Sequence, residues 1–356
     1  MLFTPGPTEM DSEIRAIGSQ PLSYFRSAEY CSHIKALTED LKYLFGTAAT
    51  PLTVTASGTA GMEMAIVNLF NPGDKVVSLS GGTFGAKWGG MARALGLQVT
   101  EIVIPHGRDP DIGRIVTEVS EDTKGILLTG HETSTGYSYD IKGICAALAG
   151  TGCLTVVDGV SSIGADEFRM DDWGCDCAIA SSQKALACMP GLVFVAFSER
   201  AQWRFRETRH YRSYLEASVY LDNIARGMLH FTPAMHATYQ VAHMLSRIRN
   251  EGLDNHLSAI AGKATAFREL FKESPGFAIF PSRCSNALSA ISLPDGVKAS
   301  VLVGILKEKY GAILPMNPTG AEDFIRVSHM GELAWPALEK LAGWIVDEVS
   351  VLAGRQ

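Results

Sequence analysis

Asp176-Cys177-Ala178-Ile179-Ala180-Ser181-Ser182-Gln183-Lys184-Ala185-Leu186 is an apolar strand pattern that ends abruptly in a polar turn carrying one amine. Upstream, Cys153-Leu154-Thr155-Val156-Val157-Asp158 is a second apolar strand pattern, and it ends in a single carboxylate. The same kind of run recurs at Leu52-Thr53-Val54-Thr55, Lys75-Val76-Val77-Ser78-Leu79, Gly125-Ile126-Leu127-Leu128-Thr129 and Leu192-Val193-Phe194-Val195-Ala196. Helical patterns separate several of these runs, over Gly58–Phe70, 85–95 and 140–150. Strands that are apolar on both faces and alternate with helices predict a mostly parallel sheet covered on both sides, an α/β architecture. On such sheets ligands gather at the carboxyl ends of the strands, where Asp158 and Lys184 fall.

Beyond about residue 235 the texture changes. Helical patterns over Ala234–Glu251 and on to Lys272 precede a strand at Asn286–Leu293. A helix at Ala299–Tyr310 with Gly311 as its stop, a strand at Phe324–Ser328 and a terminal helix at Leu333–Leu352 follow. The expected division is an N-terminal segment over 1–15, a large domain over 16–238 and a smaller α+β domain over 239–356. At 356 residues the length itself points to about two domains.

The composition, 46% apolar and 19% charged with a net charge of −7, is that of a globular chain and offers no basic surface for nucleic acid. No stretch approaches roughly 18 uninterrupted apolar residues, and no leader pattern opens the chain, so a soluble, cytoplasmic protein is expected. The seven cysteines lie in apolar segments without paired CxxC spacing and read as reduced core thiols; no metal site is expected.

Five strand ends carry chemistry. Thr55-Ala56-Ser57-Gly58-Thr59-Ala60-Gly61 puts small residues and free amides at a helix start, a cradle for a phosphate dianion or simply a tight turn. Gly81-Gly82-Thr83-Phe84-Gly85 offers an aromatic ring that stacks on a flat heterocycle or packs in the core. His131-Glu132-Thr133-Ser134-Thr135-Gly136 offers hydroxyls that bind a ligand or cap the turn, and His131 reads as a satisfied structural group. Asp158 and Lys184 are then a buried ion pair, two solvated loop charges, or the two fixed points of a pyridoxal-phosphate site. In the last case the lysine forms an imine and the aspartate holds the pyridinium nitrogen. The number of compatible strand ends favours the cofactor.

Together these segments resemble the class V aminotransferases of the fold-type I pyridoxal-phosphate enzymes, in particular the alanine–glyoxylate, serine–pyruvate and 2-aminoethylphosphonate–pyruvate group. The similarity runs from Phe3-Thr4-Pro5-Gly6-Pro7-Thr8 through Glu132-Thr133-Ser134-Thr135-Gly136 and Val157-Asp158-Gly159-Val160-Ser161-Ser162 to Ser182-Gln183-Lys184-Ala185-Leu186 with Pro190-Gly191. It implies that Lys184 is the Schiff-base lysine and Asp158 the pyridinium partner. Ser57, Gly58, Thr59 and Gln183 are then phosphate ligands, Phe84 stacks on the ring, and Thr133 approaches the 3′-oxygen. Thr232 matches a threonine that reaches the phosphate of a neighbouring subunit, which implies a homodimer with shared sites. Arg326 matches the arginine that clamps the substrate carboxylate, with Pro5, Gly6 and Arg26 at the mouth. Two positions depart from the pattern: Leu229 stands where relatives have a phosphate-binding tyrosine, and Phe25-Arg26-Ser27 lacks the histidine that usually precedes the arginine.

The resemblance thus implies a ping-pong transaminase moving an amino group from a small donor, of the alanine or serine type, to a 2-oxo acid such as glyoxylate or pyruvate. A 2-aminoethylphosphonate transaminase asks for a second cation, for which Arg26 is the candidate. A cysteine desulfurase needs a nucleophilic thiol ahead of Arg326, and Asn317–Phe324 contains none. A non-catalytic relative is disfavoured by the presence of both Lys184 and Asp158.

Overall fold

The computed structural model describes residues 1–354. Its strands, in chain order, are β1 (Leu52–Thr55), β2 (Lys75–Ser80), β3 (Gln98–Val103), β4 (Thr123–Thr129), β5 (His131–Glu132), β6 (Tyr137–Ser138) and β7 (Leu154–Asp158). They continue with β8 (Cys177–Ser181), β9 (Leu192–Phe197), β10 (Ala278–Ile279), β11 (Leu288–Ser292) and β12 (Phe324–Ser328). Seven of them form one sheet in the order β1-β9-β8-β7-β4-β2-β3. Neighbours pair in parallel except β9, which runs against both β1 and β8. The short link from Lys184 to Gly191 contains no helix, and a parallel return would require a crossover connection.

The expected strands are all present, and β7, β8 and β9 are buried along their whole length, as their apolar runs require. Asp176 fixes the start of β8: its carboxylate accepts from Thr155 N, Ser198 Oγ and Arg200 Nε, each at 2.9 Å. The edge strand β3 was not among the expected elements. Its burial alternates and three of its residues are exposed or nearly so, so its sequence mixes polar and apolar residues without the continuous run that marks a central strand.

Helices Gly58–Leu69 and Thr83–Ala94 lead from the carboxyl ends of β1 and β2. Close contact is built into the first: a Cβ at Gly61 would lie 2.6 Å from Val193 Cγ2 and 2.8 Å from Ile179 Cγ2. The larger core joins this sheet to helices Ala28–Phe45 and Met235–Glu251. A second core gathers around the antiparallel sheet β10-β11-β12 with helices Leu253–Glu269, Ala299–Tyr310 and Trp335–Ala353, and takes in Phe3 from the N-terminus. The expected division at 238/239 falls inside helix Met235–Glu251. Its buried Val241, Met244, Leu245 and Ile248 belong to the larger core, so the change of core comes after Gly252. No helix of the described residues is long and apolar enough to cross a membrane.

Candidate active site

Between the carboxyl ends of the parallel strands, a cavity of about 190 Å³ brings together Ser57, Gly58, Thr59, Phe84, His131, Thr133, Asp158, Gln183 and Lys184. These residues are spread over much of the chain. They converge because β1, β8, β7, β4 and β2 all deliver their ends to the same edge of the sheet.

The cradle is the start of helix Gly58–Leu69. Ser57 is extended at the N-cap and its hydroxyl makes no capping bond. The first helical return is Ala60 N to Ser57 O, so the amides of Gly58 and Thr59 precede the intrahelical ladder and point out of the helix end. Free amides, an uncommitted hydroxyl and the positive end of the helix dipole suit an anion. Lys87, from the next helix, adds a cation. Its Nζ stands 3.4 Å from Thr59 Oγ1 and 5.2 Å from the centroid of Phe84. Sequence reasoning did not single out Lys87, because nothing in the run Phe84-Gly85-Ala86-Lys87 reveals that one helical turn carries the amine back to the cradle.

Asp158 ends β7 and is 7% exposed. Its Oδ1 accepts from Val160 N at 3.0 Å. Burial pushes its carboxyl up to about 6, against the pull of that amide. Lys184 follows β8 in the turn in which Ala187 takes a φ of 47°. Burial lowers its amine to about 8, with Asp158 opposing the shift and Arg326 adding to it. The N-terminal segment lies over this lysine. Lys184 Nζ donates to Pro5 O at 2.9 Å, and Thr8 Oγ1 donates to Lys184 O at 3.0 Å. Gly6, at φ 148°, is pressed so close that an added Cβ would lie 2.6 Å from the Lys184 amine.

The turn after β4 ties the cavity to both the aromatic ring and the arginine. The fully buried Glu132 accepts from Phe84 N at 3.3 Å and Gly85 N at 2.9 Å, so its carboxylate sits at the start of helix Thr83–Ala94 and holds Phe84 in place. Ser134 Oγ donates to Glu132 at 2.5 Å and accepts from Thr83 N at 3.1 Å. The next residue along, Thr133, presents its carbonyl to Arg326 Nη1 at 2.7 Å. Arg326 is 4% exposed, and its other two acceptors are Asn317 Oδ1 at 2.9 Å and Met316 O at 2.6 Å. A guanidinium has five N–H donors; three are used here, so two remain for an external anion. None of these protein partners is a carboxylate, and burial accordingly pulls the group down to about 10, with only Glu132 opposing.

The other expected residues sit elsewhere in the chain. Arg26 is exposed, with its guanidinium 5.0 Å from the Phe25 ring. Thr232 is also exposed, beside Phe231, whose ring stacks on Tyr214 at 4.5 Å. Leu229 is buried. His131 is not the satisfied group expected from the sequence: Nδ1 is 3.1 Å from Ser161 O, but the fully buried Nε2 has no partner. All seven cysteines are free. Cys284 lines a different cavity, and burial raises its thiol. Among the described residues no cluster of acidic, histidine or cysteine side chains is placed to hold a metal.

The family model for aminotransferase class V matches residues 22–321. The chain belongs to the class V aminotransferases. It is 33% identical over 349 residues to a serine–glyoxylate aminotransferase of Methylorubrum extorquens, covering 93% of this chain and 86% of that protein. It is 32% identical over 346 residues to an L-aspartate–glyoxylate aminotransferase of Paracoccus denitrificans, with 93% and 86% covered. A crystal structure of an aspartate aminotransferase of subgroup IV from Thermus thermophilus superposes with a TM-score of 0.91 at 28% identity, covering 98% of this chain and 99% of that one. This class V chain is thus an aminotransferase with the mixed α/β fold of its structural neighbours, and neither a desulfurase nor a phosphonate transaminase is favoured.

Proposed function

We propose that this aminotransferase uses pyridoxal 5′-phosphate and transfers the amino group of a small monocarboxylic donor, of the alanine or serine type, to glyoxylate or pyruvate. The observation that carries this reading is the pairing of Lys184 and Asp158 in one cavity, with Arg326 bonded to the wall residue Thr133 and its buried charge without a carboxylate hydrogen-bond partner among the described residues. The residues fit the cofactor. Ser57 keeps an unused hydroxyl at a helix start, Lys184 carries an amine eased towards neutrality, and His131 and Ser181 leave buried polar atoms without protein partners.

When bound, the cofactor supplies an aldehyde and an electron-accepting pyridine ring. Ser57, Gly58, Thr59 and Gln183 hold its phosphate, with Lys87 balancing charge. Asp158 receives the ring nitrogen and, once paired with a cation, stays ionised despite its burial. Phe84 covers the ring face. Lys184 gives up its proton readily, so its Nζ serves as nucleophile and afterwards moves a proton at the donor's α-carbon. Arg326 offers two N–H groups to the α-carboxylate, which fixes the donor's orientation.

Two features support a small monocarboxylate over aspartate. Arg326 is the clamp, and beyond Lys87 at the cradle and Lys184 itself the described residues lining the cavity offer no further cation for a second carboxylate. We further propose a homodimer in which Thr232 reaches the partner's phosphate. The exposed Phe231 beside it, stacked on the exposed Tyr214, supports such a contact. A division into a larger and a smaller domain is likewise proposed, with the boundary after Gly252 instead of at 238/239, as the two separate cores suggest.

The test is a spectral titration of the loaded enzyme with alanine, serine, aspartate and 2-aminoethylphosphonate. Conversion to the amine form by alanine or serine at the lowest concentrations is expected. Conversion by 2-aminoethylphosphonate alone, or by none of the four, contradicts the proposal.

A further inference from the structure

Within the cavity, the ring of His131 has no assigned role in the account above. His131 Nε2 is fully buried and unpartnered, while Nδ1 lies 3.1 Å from the carbonyl oxygen of Ser161. A carbonyl only accepts, so Nδ1 carries the hydrogen and Nε2 presents a lone pair. A buried acceptor left without a donor is costly, and one that faces a ligand cavity is explained if the ligand completes it.

The order of the strands identifies what completes it. The phosphate cradle follows β1, Lys184 follows β8, Asp158 ends β7, and His131 follows β4. In the sheet these strands stand in the order β1, β9, β8, β7, β4, so the cradle and His131 lie on opposite sides of the Lys184–Asp158 pair. Pyridoxal phosphate has the same layout. Its aldehyde and ring nitrogen define an axis, with the phosphate arm on one flank and the 3-hydroxyl on the other. With the arm at Ser57–Thr59, the 3-oxygen faces the turn after β4. Two cavity residues stand there: Thr133, whose carbonyl is committed to Arg326 while its hydroxyl can donate to the 3-oxygen, and His131, which holds a vacant lone pair that can accept from it.

Resting on the cofactor assignment above, we propose that His131 Nε2 is a hydrogen-bond partner of the 3-oxygen of bound pyridoxal phosphate, beside the Thr133 hydroxyl. One proton lies between the two atoms. On the oxygen, it is donated to the neutral ring; on the ring, it makes an imidazolium that donates to Ser161 and to the 3-oxygen together. In the unliganded chain burial holds His131 down at about 4, and the nearby Lys184 and Arg326 charges act in the same direction, so the lone pair is free when the cofactor arrives.

The test is a binding cycle. The dissociation constants of pyridoxal phosphate and its 3-deoxy analogue are measured for the wild-type protein and for His131→Phe, each freed of cofactor. A preference for the 3-hydroxyl about tenfold greater in the wild type than in the variant is expected for one buried hydrogen bond. An equal preference in both overturns the inference while leaving the cofactor assignment intact. Failure of the wild type to bind pyridoxal phosphate at all overturns both. A second measurement needs no variant: in ¹⁵N-histidine-labelled wild type, the Nε2 resonance moves on loading with pyridoxal phosphate and not with the 3-deoxy analogue. Equal movement with both ligands counts against the inference.

Discussion

Lys184 Nζ donates a hydrogen bond to the carbonyl oxygen of Pro5 at 2.9 Å. The first residues of the chain are thereby part of the wall around the amine that ends β8. Thr8 reinforces the contact, with its hydroxyl on Lys184 O and its amide on Gln183 O at 3.3 Å. In the proposed reaction this strap shields the amine from water until a carbonyl replaces Pro5 as its partner.

Replacing Gly6 by alanine is expected to disturb that arrangement and little else. The new methyl meets the flexible end of Lys184 at 2.6 Å, and φ at Gly6 is 148°, so either the side chain or the strap must move. A misplaced reacting group costs about a hundredfold in rate. Steady-state kinetics of Gly6→Ala should show a fall in kcat of roughly that order with circular dichroism unchanged. Wild-type turnover would show that the strap has no bearing on the amine.

Loading of the cofactor-free protein should depend on the Lys184 proton. Only the neutral amine attacks an aldehyde, and burial brings its midpoint down to about 8. The rate of cofactor capture, followed by absorbance in a stopped-flow instrument, is expected to rise up to about pH 8 and to level off above it. A midpoint near the ordinary lysine value would mean that the amine is solvated.

Asp158→Asn is expected to separate stability from function. The folded-state value of Asp158, about 6, lies above its ordinary 3.8. The native fold therefore takes up protons more readily, and the cost of the buried charge builds as pH rises from about 4 through 6. At pH 7 the full cost applies to the cofactor-free protein. Asparagine removes it and keeps an oxygen for Val160 N, so the unloaded variant should gain about 1–3 kcal/mol in denaturant unfolding. Its half-reaction with alanine should slow by at least tenfold. A loss of stability would mean that Asp158 is already paired in the unloaded fold.

Arg326→Lys keeps the charge and loses the planar fork. Lysine cannot satisfy Thr133 O, Met316 O and Asn317 Oδ1 and still present two parallel donors to a carboxylate. Loss of about 2–4 kcal/mol in kcat/KM is expected, carried mainly by KM for both the amino donor and the 2-oxo acid. Unchanged KM values would remove Arg326 from substrate binding.

Much of this arrangement was legible in the sequence, for an identifiable reason. Strands buried on both faces are written as continuous apolar runs, so β7 and β8 announce their ends, and the polar residue at each end is conspicuous. The helix Ala299–Tyr310 and strand Phe324–Ser328 were equally readable, the first from its Gly311 stop and the second from its apolar pattern. What was hidden depends on contacts between distant segments. The vacancy on His131 is defined by Ser161 O taking the other ring nitrogen, and Lys87 reaches the cradle only because helix Thr83–Ala94 starts beside helix Gly58–Leu69. Glu132 looked like one polar residue among several; its bonds to Phe84 N and Gly85 N exist only because β4 and β2 are neighbours. The edge strand β3, half solvated, carries no such run, and the exposed Arg26 shows that charge near a motif does not fix where its side chain goes.

The most direct test of the central claim is chemical trapping at Lys184. The protein is loaded with pyridoxal phosphate, reduced with borohydride, digested and mapped by mass spectrometry. A phosphopyridoxyl group on the peptide containing Ser182-Gln183-Lys184 is predicted, together with its absence when the loaded enzyme is first converted by alanine or serine. An unmodified Lys184, or the label on a different lysine, would contradict the account.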